Sequence, residues 1–157
     1  MSEQNLFDLA SKAWDEGHLK EAFDLFYKLA NEGDPSSQNN LGYFFDEGIG
    51  VDKDIKKALY WYKKAAKQGN SSSYINISKV YQAQQNIRRA KFWLLKAVNL
   101  GDGEAALELA KIYLEIERKN NILKAINYLQ MSVNTDPKYI SEESLDEAKE
   151  LLNHYGE

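Results

Sequence analysis

Apolar residues recur along this chain at helical spacing, and the same stripe returns four times. The first stripe places apolar residues at offsets 0, 3, 4, 7, 10 and 11 from Leu19, and the offsets recur from three isoleucines, Ile55, Ile87 and Ile122. The residue at offset 3 is alanine in every stripe: Ala22, Ala58, Ala90 and Ala125. Lys91 and Ser132 are the only polar residues at these stripe positions. The spacing predicts four amphipathic helices, each with a small residue where another helix comes close.

A second aligned segment precedes each stripe. It carries an aromatic residue at one position, Trp14, Phe45, Tyr81 and Tyr113, and a small residue three positions earlier, Ser11, Gly42, Ser78 and Ala110. The anchor alanines lie 36, 32 and 35 residues apart, a period typical of helical hairpins stacked in a solenoid. We predict one all-α repeat domain over residues 1–157, with units at about 5–34, 35–70, 71–102 and 103–136.

The helix ends are also marked. Gly33, Gly69 and Gly101 follow the first three stripes, where a left-handed residue ends a helix, whereas Asp136 stands at the fourth place and predicts a different ending. Asp52 or Asp54 is suited to cap the fourth helix, and Asn86 the sixth. Ser141 and the acidic residues after it predict a C-terminal capping helix over 141–154, which gives nine helices and no strand.

One stretch, residues 38–70, closely resembles the Sel-1-like repeat, a relative of the tetratricopeptide repeat. The matching pieces are Leu41-Gly42, Phe45, Gly48-x-Gly50-Val51 and Ala58-x-x-Trp61-Tyr62-x-Lys64-Ala65-Ala66-x-x-Gly69. The other units keep the helical anchors without the Gly-x-Gly-Val loop, and the resemblance covers about residues 5–134. It implies a right-handed α-solenoid whose first helices line a concave surface. Members are mostly non-catalytic adaptors, and small bacterial ones include immunity proteins, regulators and secretion-related factors.

The resemblance also indicates which side chains face the concave surface. Transferred residue by residue, the positions are Asp8, Lys12, Asp15 and Glu16 in unit one, Asn39, Tyr43, Asp46 and Glu47 in unit two, Lys79 and Gln82 in unit three, and Lys111 and Glu115 in unit four. The N-terminal end of this wall is acidic, so we expect a protein or peptide with a basic patch to bind there, with Tyr43 as an aromatic contact. The alternative is that these are ordinary solvated residues.

The charge is uneven along the chain. Residues 1–50 carry 3 Lys and 10 Asp/Glu, residues 51–100 carry 11 Lys/Arg and 2 Asp, and residues 101–157 carry 6 Lys/Arg and 12 Asp/Glu. The basic residues gather on second helices: Lys56, Lys57, Lys63, Lys64, Lys67, Arg88, Arg89, Lys91 and Lys96. Nucleic acid is an unfavoured partner because the chain is acidic overall, and a solvated face opposite an apolar stripe explains these charges.

The expected cellular location rests on features that are absent from the sequence. The sequence has no cysteine, its first residues are polar with no apolar segment after them, and no apolar run is long enough to span a bilayer. We therefore expect a cytoplasmic protein without a membrane span.

Catalytic patterns are weak. The two histidines, His18 and His154, lie near opposite ends, and no metal-ligand spacing occurs. Gly48-x-Gly50 lacks the remaining parts of a phosphate loop. We expect no catalytic residue, metal or cofactor.

The favoured function is a scaffold that binds protein without catalysis, and its sharper form is a bacterial immunity protein that neutralises a cognate toxin. A regulatory or secretion-related adaptor is the alternative, and a polymer-acting hydrolase is the least favoured function.

Overall fold

Helices make up most of the chain in the computed structural model, which describes residues 3–115 and 118–156. Within those ranges the α-helices are α1 Glu3–Asp15, α2 Leu19–Glu32, α3 Pro35–Glu47, α4 Ile55–Lys67, α5 Ser71–Ala83, α6 Ile87–Val98, α7 Gly103–Leu114, α8 Lys119–Val133 and α9 Glu142–Tyr155, with a 3₁₀ turn at Pro137–Tyr139. The same ranges contain no strand. The predicted repeats correspond to consecutive helix pairs, α1/α2, α3/α4, α5/α6 and α7/α8, and α9 follows the last pair.

The four anchor alanines are completely buried, as the repeated stripe predicts. Two compact units contain them, one ending at Val80 and the other beginning at Tyr81. In the first unit, Phe26 and Phe44 form a cluster with Ala10, Ala13 and Ala22. The ring centroids of Phe26 and Phe44 are 5.7 Å apart, in an edge-to-face arrangement. The small alanines let the helices approach, and the aromatic rings fill the space between them.

The second unit has its own core. Leu107 and Ala110 of α7 pack with Ala125 and Leu129 of α8 and with Ala148 of α9. All five side chains are at most 1% exposed. Helix α9 therefore covers the apolar surface left by the α7/α8 hairpin, as predicted for a C-terminal capping helix.

The helix ends follow the predicted caps. The Asp54 carboxylate accepts the backbone N–H groups of Lys56 and Lys57 at 3.0 and 3.1 Å, and these bonds lower its pKa. Asn86 accepts the N–H of Arg89 in the same way. The fourth stripe does end differently from the others, because Asp136 begins the short 3₁₀ turn and accepts the N–H of Lys138.

The two polar interruptions of the apolar stripes have separate explanations. Ser132 is fully buried, and its hydroxyl donates a 2.9 Å hydrogen bond to the carbonyl oxygen of Gly103. Lys91 is half-buried, and its ammonium nitrogen lies 4.6 Å from the ring centroid of Tyr113. A serine bonded to the backbone and a lysine with an aromatic partner both satisfy their polar groups.

Candidate protein-binding face

The predicted partner-binding residues of α1 and α3 share one spacing. The first set is Asp8, Lys12 and Asp15 of α1 with Glu16 directly after the helix, and the second set is Asn39, Tyr43, Asp46 and Glu47 of α3. Both sets lie at i, i+4, i+7 and i+8, which places each set on one side of its helix. Helices α1 and α3 both belong to the first compact unit, so their relative position is defined.

An aromatic contact brings the last turns of α1 and α3 together. The ring centroid of Trp14 lies 5.8 Å from that of Tyr43 and 5.0 Å from that of Phe44. Phe44 is buried, whereas Tyr43 is 38% exposed. Asp15 ends α1 one residue after Trp14, and Glu47 ends α3 one helical turn after Tyr43, so an acidic residue stands at the end of each helix. We call Asp15, Glu16, Tyr43, Asp46 and Glu47 the acidic face.

Asp46 differs from the other carboxylates of the acidic face because it is partly buried and accepts a hydrogen bond from a side chain of α4. It is half-buried, and the hydroxyl of the buried Tyr62 donates a 3.4 Å hydrogen bond to its Oδ2. Burial raises the pKa of the Asp46 carboxyl, the Glu47 carboxylate adds to the rise, and Lys53 and the Tyr62 hydroxyl oppose it. Burial and Asp46 also raise the pKa of Tyr62, so the phenol keeps its proton and remains a donor.

The charges at the end of α1 are arranged on the surface. The Lys12 ammonium nitrogen lies 3.7 Å from Oε1 of Glu16, and Oε2 of Glu16 lies 3.8 Å from Nδ1 of His18. Asp8 and Asp15 are exposed on the same helix. Exposed pairs of this kind contribute little to stability, so the carboxylates are available to a partner at small cost.

Asn39 connects α3 to α5 rather than facing solvent alone. Its side-chain oxygen accepts hydrogen bonds from Ser73 Oγ at 2.8 Å and from Asn76 Nδ2 at 3.0 Å. Lys79, further along α5, is exposed. The structure therefore gives Asn39 a role in joining two first helices.

The other three predicted residues, Gln82, Lys111 and Glu115, belong to the second compact unit. Lys111 forms ion pairs with Glu108 at 3.2 Å and with Glu147 of α9 at 3.1 Å. Burial would lower the pKa of Lys111, but the two carboxylates outweigh that effect and raise it. Lys111 thus helps to fasten α9, a role that repeat spacing did not indicate. Gln82 is half-buried and Glu115 is exposed.

One lysine in each of the basic second helices α4 and α6 lies against aromatic rings of its own helix. In α4, the Lys64 ammonium lies 4.9 Å from the Trp61 ring and 5.2 Å from the Tyr60 ring. In α6, Lys96 lies 5.1 Å from the ring of Phe92. Trp61 is 6% exposed, so its ring belongs to the core. Contacts within one helix explain these lysines without a ligand.

Two further properties concern the described ranges only. Residues 3–115 and 118–156 contain no helix that is both long enough and apolar enough to cross a membrane. In the same ranges, no three side chains of the types that bind metals are grouped as a site.

Comparison with known proteins decides the family. The family model of the Sel1 repeat matches residues 19–34, 35–70, 81–102 and 103–134. The chain belongs to the Sel1 repeat family. The resemblance of residues 38–70 is therefore confirmed, and three further segments match the same repeat. An interaction scaffold for proteins is the general role of Sel1 repeats.

The relatives share the repeat but are much longer. A sel1-like repeat-containing protein of Acanthamoeba polyphaga mimivirus is 38% identical over 64 residues, which are 41% of this chain and 12% of the relative. The chitin synthase regulator SKT5 of Saccharomyces cerevisiae is 46% identical over 46 residues, which are 29% of this chain and 7% of the relative. This chain therefore spans a small part of the curated proteins that it matches.

Solved structures confirm the all-α Sel1 repeat fold. The protective antigen c5321 of uropathogenic Escherichia coli, which displays the SLR fold, is 26% identical with a TM-score of 0.71, over 83% of this chain and 30% of that one. A Sel1 repeat protein of Oxalobacter formigenes is 22% identical with a TM-score of 0.71, over 88% of this chain and 57% of that one.

Proposed function

We propose that this Sel1 repeat chain binds a protein with a basic patch through its acidic face. The observation that carries the proposal is the arrangement of Tyr43 and Asp46 in the last turns of α3. Tyr43 is 38% exposed and rests on Trp14, and Asp46 is held by the buried Tyr62 hydroxyl. An aromatic side chain and a carboxylate with a fixed position form a preorganised contact for lysine or arginine.

The placement of the carboxylates favours binding over stability. Asp15 is the last residue of α1 and Glu47 the last of α3. A helix C-terminus carries a partial negative charge, which favours cations and disfavours carboxylates. The acidic residues therefore add to the negative potential of both helix ends. A basic partner would neutralise charges that the free protein holds at some expense of stability.

The finer proposal is that the partner is a toxin and that binding neutralises it. An inhibitor of this kind needs a stable surface that covers the working part of its target, and it needs no chemistry of its own. A scaffold with a preorganised acidic face meets that requirement. A cytoplasmic location in a bacterium and the absence of catalysis are parts of this proposal.

A regulatory or secretion-related adaptor would use the same face, and the two roles differ in the effect of binding on the partner. The experiment is to capture partners from lysate of the producing cell and then express the captured protein with and without this chain. Restored growth supports neutralisation of a toxin. A captured basic protein that is harmless when expressed alone supports an adaptor. Capture of no protein, or of acidic proteins only, would contradict binding at the acidic face.

A further inference from the structure

A lysine occupies an apolar position of the repeat in α6. Lys91 stands at the stripe position that Phe23, Leu59 and Ile126 fill in the other units. Its side chain is half-buried, and the ammonium lies 4.6 Å from the ring centroid of Tyr113. The contact with Tyr113 makes this charge tolerable, but an apolar residue would pack at the same place without any charge beside the core, which indicates a function for the lysine.

A second lysine approaches the same ring from α8. The Lys124 ammonium lies 5.4 Å from the Tyr113 centroid, so the two ammonium groups are at most about 10 Å apart. Tyr128 stacks on Tyr113 with the centroids 5.9 Å apart and the planes 6° from parallel. Among residues 3–115 and 118–156, neither lysine forms an ion pair with a carboxylate. No salt bridge within the described ranges therefore neutralises either ammonium group at short distance.

More positive charge surrounds Lys124. Arg118, Lys119 and Lys124 together line an open cleft of about 420 Å³. Arg118 and Lys119 are also the N-cap and the first residue of α8, where the partial positive charge of a helix end already disfavours cations. We call Lys91, Tyr113, Arg118, Lys124 and Tyr128 the basic cluster.

We propose that the basic cluster binds an acidic peptide segment of a partner protein. In an extended peptide, two side chains on the same side lie about 7 Å apart. Two glutamates at alternate positions can therefore reach Lys91 and Lys124 together, while the stacked tyrosines contact the peptide between them. This site lies within the second compact unit and does not depend on the acidic face.

Charge distribution favours a short acidic segment over a nucleic acid. The sequence from Tyr81 onward contains ten Lys/Arg and twelve Asp/Glu, so its net charge is negative. A long polyanion extends beyond the basic cluster and is repelled by the surrounding carboxylates. A short peptide contacts only the local positive charge, because salt screens interactions beyond about 8 Å under physiological conditions.

The test uses a fluorescein-labelled octapeptide of alternating glutamate and serine, with binding to the full chain followed by fluorescence anisotropy at low salt. We expect saturable binding that weakens by about tenfold or more in the double variant K91M/K124M. Methionine restores an apolar residue at position 91, so the variant should fold, and its circular dichroism spectrum checks this.

The matched control is K138M/K149M, which removes two lysines of the same unit that pair with Asp136 and Asp146. Its affinity for the peptide should stay within about twofold of the unchanged chain, because these lysines already have partners. Absence of peptide binding, or equal weakening in the two double variants, would overturn the proposal. Tighter binding of an oligothymidylate of equal charge, lost in K91M/K124M, would replace the peptide with a nucleic acid and overturn it too.

Discussion

The ring of Tyr62 lies where a side chain at Gly42 would stand. A Cβ atom at position 42 would be 2.5 Å from Cδ1 and 2.7 Å from Cε1 of Tyr62. Helices α3 and α4 can therefore pack closely only with glycine at this position. The same ring carries the hydroxyl that holds Asp46, so the packing of one hairpin also determines the position of a carboxylate on the acidic face.

Gly42→Ala should destabilise the protein by about 1–3 kcal/mol, because the fully buried ring has no space to move away. Intrinsic helix propensity acts in the opposite direction by about 1 kcal/mol, so a net loss identifies the contact with Tyr62 as the cause. Urea unfolding measures the change. Ser36→Ala, at an exposed position of the same helix, should change stability by less than about 0.5 kcal/mol. An unchanged or raised stability of Gly42→Ala would contradict this account of the hairpin.

Tyr62→Phe should lower stability only slightly, by about 0.5 kcal/mol, because the 3.4 Å hydrogen bond is long and water can reach part of the carboxylate. Its effect on partner binding should be larger, several-fold in Kd, because Asp46 loses the donor that fixes its position. Unfolding and binding measured on the same variant separate the two effects. Binding as tight as that of the unchanged chain would show that Tyr62 does not position Asp46.

Glu47→Gln should stabilise the free protein while weakening partner binding. Removal of the negative charge from the last residue of α3 relieves its repulsion with the helix C-terminus, a gain of about 0.3–1 kcal/mol. It also relieves repulsion with Asp46, whose pKa Glu47 raises. Thermal unfolding and titration with the captured partner measure the two changes. A Glu47→Gln variant that is less stable than the unchanged chain would contradict the claim that this charge favours binding at a cost in stability.

Asp46→Asn should change the pH dependence of stability. The pKa of Asp46 is raised in the folded protein, so the folded state binds more protons than the unfolded state as pH rises from the ordinary aspartate value of 3.8. Ionisation of Asp46 therefore reduces stability through that window and up to its folded pKa.

The stability of Asp46→Asn relative to the unchanged chain should accordingly increase with pH across this range and then stay constant. Urea unfolding at a series of pH values measures it. Ser36→Ala, which removes no titrating group, should differ from the unchanged chain by a constant amount. A constant difference for Asp46→Asn as well would mean that the folded state does not raise the pKa of Asp46.

The helices, their buried anchor residues and their caps could be predicted from the sequence, because each depends on residues that are close together in the chain. The anchor alanines, the Asp54 and Asn86 caps and the different ending at Asp136 all depend on residues within one or two helical turns. The C-terminal capping helix is likewise present, as α9. That Tyr43 and Asp46 contact a partner stays a prediction.

Contacts between distant positions could not be predicted in the same way. Tyr62 lies 16 residues from Asp46, and Glu147 lies 36 residues from Lys111. Repeat spacing treats Asp15 and Asp46 as equivalent, yet one is exposed and the other is half-buried on a tyrosine. These differences arise from the particular side chains that pack beneath each helix, and the repeat pattern does not specify them.

The most direct test of the acidic face compares partner capture by three forms of the chain under the same conditions. The unchanged chain and the control E32Q/D52N, which removes two exposed carboxylates elsewhere in the first unit, should retain the same basic protein in equal amounts. The variant D46N/E47Q should retain about tenfold less, because both carboxylates beside Tyr43 are neutralised. Equal retention by D46N/E47Q and the control would contradict the proposal that this face binds the partner.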